Sequence, residues 1–92
     1  MNLLSAIIQA LPDAMPAVRD AVRALPGAEI HIDSGDGRLV ITLESPSYRA
    51  VIDHLTQISI LPGVLAANPV YQYADPQDSD ANNDSPEEER TP

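Results

Sequence analysis

Residues 28–33 alternate without a break: Ile30 and Ile32 take one side of an extended chain, and Glu29, His31 and Asp33 take the other. That period of two predicts a half-buried β-strand. Ser34-Gly-Asp-Gly37 follows, a run of residues that tolerate positive φ, so the chain is expected to reverse into a second strand from Arg38 to Glu44. Residues 2–10 mix β-branched and polar positions in rough alternation and predict an opening strand, and Val64 to Tyr73 predict a closing one.

Between the strands the period changes. Val18, Ala21, Val22 and Leu25 recur at i, i+3, i+4 and i+7, which lays them on one face of a helix whose start Asp13 is placed to cap. Pro16 disfavours helical geometry at Met15, and Pro26-Gly27 ends the helix. Ser45-Pro46 predicts the start of a second helix, with the Ser oxygen accepting an orphan amide and Pro at the first helical position. Its apolar stripe is Tyr48, Val51, Ile52, Leu55 and Ile58, and Pro62-Gly63 stops it. Leu-Pro-Gly thus occurs at 25–27 and again at 61–63, each time between a helix and a strand. The order βαββαβ predicts an α+β, ferredoxin-like fold, in which two helices cover one face of a four-stranded antiparallel sheet.

The length of 92 residues and 43% hydrophobic content allow one core, assigned to a binding domain over residues 1–74. From residue 75 to 92 Asp, Asn, Ser, Pro and Glu dominate and no large apolar residue remains, so an acidic, disordered C-terminal tail is expected. The formal charge of -9 is uneven: the tail holds seven acids against Arg90. The remaining cations are Arg19, Arg23, Arg38 and Arg49, with no Lys. So few positive charges argue against nucleic acid and against an anionic membrane surface, and favour a basic partner.

The chain lacks cysteine, which removes disulfides and thiolate metal sites. No apolar run approaches the roughly 18–20 residues of a membrane span, so membrane insertion is not expected. The N-terminus has no basic residue before its apolar stretch and does not read as a signal peptide. A cytoplasmic location is therefore expected.

Chemistry has few candidates. The imidazoles are His31 and His54, and Asp53 precedes His54 on a helix, where neighbours point apart, so no catalytic triad is expected. His31 and Asp33 share a strand side, but no third ligand accompanies them. Gly35-Asp-Gly37 lacks the third glycine and following helix of a dinucleotide loop and reads as a turn. Neither an enzyme, nor a metal, nor a cofactor is expected.

The informative surface is the sheet face left without helices. If Leu4, Ala6, Ile8, Ile30, Ile32, Leu39, Ile41, Leu43, Leu65, Ala67 and Tyr71 point to the helices, alternation puts Ser5, Ile7, Gln9, Val40, Thr42, Ala66, Asn68 and Val70 on the other side. Glu29, His31, Asp33 and Glu44 then form an acidic rim, a surface suited to an apolar helix carrying arginines. A bare face of an antiparallel sheet also occurs simply facing water.

Ser5-Ala-Ile-Ile-Gln-Ala10, Leu25-Pro-Gly27, Gly37-Arg-Leu-Val-Ile41, Gly63-Val-Leu-Ala-Ala67 leading into Val70-Tyr71, and Glu89-Arg-Thr-Pro92 together resemble the NapD chaperones of the periplasmic nitrate reductase. The resemblance covers residues 2–73 in order and spacing, although each piece alone is a strand or turn that other ferredoxin-like proteins carry. It implies a cytoplasmic maturation factor, binding no cofactor itself, that holds the twin-arginine signal peptide of the catalytic subunit until the molybdenum cofactor is inserted. It also implies that the sheet side is the pairing surface. The expected peptide-binding set is Ser5, Ile7, Gln9, Glu29, His31, Asp33, Val40, Thr42, Glu44, Ala66, Asn68 and Val70. Glu29, Asp33 or Glu44 would meet the guanidinium groups, and Ile7, Val40 and Val70 would lie under the apolar part. A monomer is expected.

Three other readings compete. A peptide could add to the exposed edge of the second or fourth strand, although Asn68-Pro69 makes the fourth a poor template. A small-molecule-binding regulatory domain of the same fold wants a glycine-bearing loop where this chain has Ala10-Leu-Pro-Asp13, and an acylphosphatase-like enzyme wants an arginine there.

Overall fold

β1 (Asn2–Ala10) alternates strictly between buried and half-buried positions. Leu4, Ala6, Ile8 and Ala10 fill the core, and the intervening side chains face the other way. The computed structural model describes residues 1–76. After β1 come a 3-10 turn (Pro12–Ala14), α1 (Met15–Ala24), β2 (Ala28–Asp33), β3 (Arg38–Ser45), α2 (Tyr48–Ser59) and β4 (Val64–Tyr73). Strand order is β2-β3-β1-β4 with every neighbour antiparallel, the ferredoxin-like arrangement expected. Of the acidic tail assigned to 75–92, all but Asp75 and Pro76 lies outside the described residues.

The core is one layer between sheet and helices. β1 and β3 contribute Leu4, Ala6, Ile8, Leu39, Ile41 and Leu43, against Met15, Val18 and Val22 of α1 and Val51 and Ile58 of α2. Both helices begin later than the sequence predicts. Asp13 lies inside the 3-10 turn, and α1 starts without a side-chain cap because Pro12 sets the turn first. The cap of α2 is Ser47, whose Oγ accepts from the Ala50 N–H at 3.2 Å, while Ser45 ends β3 and its Oγ takes the Ser47 N–H at 3.1 Å.

Two contacts lock the strands at one end of the sheet. Gly27 (φ +79°) donates no side chain because a Cβ would overlap the Glu44 carbonyl oxygen, and its own carbonyl accepts the Glu44 N–H at 3.0 Å. Asn2, fully buried, donates through Nδ2 to the Ser45 and Pro46 carbonyls at 3.1 and 3.0 Å, and its Oδ1 accepts the Asp75 N–H at 2.7 Å. One side chain thus ties the start of β1 to the end of β3 and to the chain leaving β4.

The ladders carry three irregularities, and these correct the predicted faces. In β2 the register slips between Ile30 and Ile32, so Ile30 pairs with the core residue Ile41 but Ile32 pairs with Val40. An extra residue reverses the alternation beyond it. Ile32, expected under the helices, is therefore on the open side and 58% exposed. Asp33, expected on the open side, stands opposite core residue Leu39 and is held from α1 by Arg19. In β4 the slips fall at Ser5/Ala6 and Gln9/Ala10 of the partner strand. They leave Leu65 and Val70 without partners and bring Tyr71 opposite Ser5, on the open side rather than the helix side.

Candidate functional site

Antiparallel partners share a sheet face, so the registers give the open side as four rows. Glu44, Leu3 and Tyr73 form the first, and Glu29, Thr42, Ser5 and Tyr71 the second. Ile32, Val40, Ile7 and Asn68 form the third, and Arg38, Gln9 and Ala66 the fourth. Rows are about 6.8 Å apart and strands about 4.8 Å. The middle of the side is thus an aliphatic patch, and one end of it is acidic and aromatic.

Ten of the twelve expected residues are brought together here: Ser5, Ile7 and Gln9 from β1, Val40, Thr42 and Glu44 from β3, Glu29 and His31 from β2, and Ala66 and Asn68 from β4. His31 is the extra residue of the β2 irregularity, and its Nε2 shares a hydrogen bond with the Thr42 hydroxyl at 2.7 Å, which holds the ring at this side. Glu29 Oε1 lies 3.8 Å from the same nitrogen. Val70 is exposed but stands outside the rows, at the irregularity opposite Ser5 and Ala6.

Asp33 does not join the group. Its carboxylate accepts from Arg19 Nε at 2.5 Å and from the Gly35 N–H at 3.0 Å. The Arg19 guanidinium, followed by the Gly35 amide, holds its pKa below the ordinary aspartate range, against a weaker opposing effect of burial. Glu29 and Glu44, roughly 8 Å apart by strand geometry, are the open-side carboxylates.

The structure adds residues that alternation alone missed: Ile32, Tyr71, Tyr73, Leu3 and Arg38. Tyr71 and Tyr73 are about half exposed, at 55% and 49%. A signal for them existed in Pro69, since proline inside a strand is confined to edges and bulges, and a bulge beside it shifts Tyr71 to the other face. Gln72, by contrast, turns to the helix side, where it accepts a hydrogen bond from the Tyr48 hydroxyl at 3.1 Å.

Chemically, this side offers two carboxylates and two phenol rings to a cation, and Ile32, Val40 and Ile7 to an apolar surface. The strand-helix junction at Ala10–Asp13, where a regulatory domain would carry a ligand loop, is pinned by backbone hydrogen bonds. The Leu11 N–H donates to Gly63 O and the Ala14 N–H to Leu11 O, each at 2.9 Å. Among the described residues no helix is long and apolar enough to cross a membrane.

Comparison with known proteins bears on the family and the fold. A family model described as NapD protein matches residues 1–76. The chaperone NapD of Paracoccus pantotrophus is 32% identical over 78 residues, covering 85% of this chain and 69% of that protein. The solution structure of the E. coli Tat proofreading chaperone protein NapD matches with a TM-score of 0.69 at 24% identity, covering 82% of this chain and 80% of that one, which bears on the fold.

Proposed function

The chain belongs to the NapD family, a family of chaperones and not of enzymes, and on that premise we propose that it binds the twin-arginine signal peptide of the periplasmic nitrate reductase catalytic subunit. It does so in the cytoplasm, as a monomer and without a cofactor, and it delays export until the enzyme's own cofactor is in place. The observation that carries the reading is the open side of the sheet, where an aliphatic patch adjoins Glu29, Glu44, Tyr71 and Tyr73.

The physical fit is to a segment that is cationic at one point and apolar next to it. Guanidinium groups gain charge-assisted hydrogen bonds from carboxylates and stack on phenol faces. The apolar segment covers Ile32, Val40 and Ile7, which removes aliphatic surface from water on both partners. Glu29, His31, Thr42 and Glu44 are the polar part of the site, and Ser5, Gln9, Ala66 and Asn68 are its small or neutral floor. Asp33 is left out, because Arg19 already occupies it.

Titration calorimetry of the protein with the nitrate reductase signal peptide, beside a peptide with both arginines changed to alanine, tests this. Saturable binding that falls at least tenfold with the altered peptide is expected. A heat signal absent for both peptides would remove the proposal.

A further inference from the structure

The open side differs at its two ends. Glu44 and Tyr73 flank Leu3 in the first row, and Glu29 and Tyr71 stand in the second. The last row carries Arg38 and no acid. Beyond it the surface dips into a pocket of about 210 Å³, lined by Gln9, Arg38, Leu11, Leu65, Asp36 and neighbouring backbone. Leu65 reaches this pocket because the irregularity opposite Gln9 and Ala10 leaves it outside the ladder, and it is 66% exposed.

Resting on the signal-peptide reading above, we infer that the guest lies in one direction only, its arginines at the Leu3 end and its apolar segment running alongside β1 to end in the Leu11–Leu65 pocket. The charges set the direction. Arginines placed at this end meet two carboxylates; turned around they meet Arg38 and one carboxylate, Asp36, which already accepts from the Ser34 hydroxyl, while the apolar end covers Glu29 and Glu44. The length agrees as well: Leu3 to Gln9 spans about 20 Å of strand, which a helix covers in about 13 residues, within the 7–15 residues of a signal peptide's apolar region.

The absence of cysteine lets a spin label sit only where it is placed. A synthetic peptide with two consecutive arginines followed by about twelve apolar residues is labelled either before the arginines or after the apolar segment, and amide signals of the full chain are recorded. The first label is expected to broaden Leu3, Glu44 and Tyr73, and the second Gln9, Arg38 and Leu65. The reverse pattern, or both ends broadened equally by either label, overturns the direction while leaving binding intact. No binding at all removes the reading on which the direction rests, and the direction with it. Leu65→Ser is expected to weaken this peptide about fivefold. Ile60→Ser, at a 74% exposed site after α2 and away from the pocket, is expected to leave affinity unchanged. Equal affinity of the Leu65→Ser and unaltered proteins overturns the pocket's part in the inference.

Discussion

Ile32 stands opposite Val40 across the β2–β3 ladder, on the side of the sheet that has no helix. Because the side chain is more than half exposed, Ile32→Ser should leave the fold intact while removing about 1 kcal/mol of contact with an apolar guest, about a fivefold loss of affinity. Ile30→Ala, two positions earlier but packed against the core, should instead cost about 2 kcal/mol of stability with little effect on the guest. Calorimetry and urea unfolding of the two variants separate the roles, and equal binding losses would put both residues on one face.

Asp33 and Glu29 should respond differently to charge reversal. Glu29→Lys together with Glu44→Lys is expected to weaken signal-peptide binding at least tenfold. Asp33→Lys is expected to change it far less and to lower the melting temperature, since it sets a cation against Arg19. A strong binding loss on reversing Asp33 alone would return it to the peptide surface.

The Asp33–Arg19 ion pair predicts a pH dependence. A carboxyl whose folded pKa is depressed stabilises the native state above its unfolded pKa, here near 3.8, and that contribution is lost as pH falls through the lower folded value. Arg19→Met should therefore reduce stability at neutral pH, with the deficit shrinking as solutions are acidified below pH 3.8. Thermal melts of both proteins across that interval check the sign, and a deficit that grows on acidification contradicts it.

In the proposed complex Tyr71 and Tyr73 supply the aromatic share of cation recognition. Replacing both by alanine should cost about 1–2 kcal/mol of binding, and replacing both by phenylalanine should cost much less, because the ring face and not the hydroxyl meets a guanidinium. Fluorescence titration of the two double variants discriminates, and equal losses would move the effect to the hydroxyls.

Asn2→Ala should be the most damaging of these changes to the fold. It leaves the Ser45 and Pro46 carbonyls and the Asp75 amide without the partner they have at a fully buried position, a cost of roughly 2–4 kcal/mol. A urea midpoint within error of the unaltered protein would show that water replaces the side chain.

The elements themselves were legible. Leu-Pro-Gly at 25–27 and 61–63 marks both helix-to-strand junctions, and the alternation of β1 matches its burial position by position. Two kinds of information were not. The true cap of α2, Ser47, is two residues beyond the Ser45 that predicts it, because Ser45 is still the last residue of β3. The sides of β2 and β4 were misassigned past His31, past Pro69 and at Leu65, which was expected under the helices but is 66% exposed, since a period of two carries no mark of an inserted residue until a partner strand fixes the register. The sides of β1 and β3 follow the alternation throughout, and those of the outer strands only in part: Glu29, His31, Ala66 and Asn68 fall as expected, while Ile32, Asp33, Val70 and Tyr71 do not.

Those outer strands have a consequence for how a guest is released. β2 and β4 each slip in register against their inner neighbours, and Pro69 has no N–H to donate, so neither margin is a regular template for another chain. In the proposed complex a peptide resting on side chains would instead owe its residence to a handful of separable contacts, and could be handed on without any backbone ladder being torn apart.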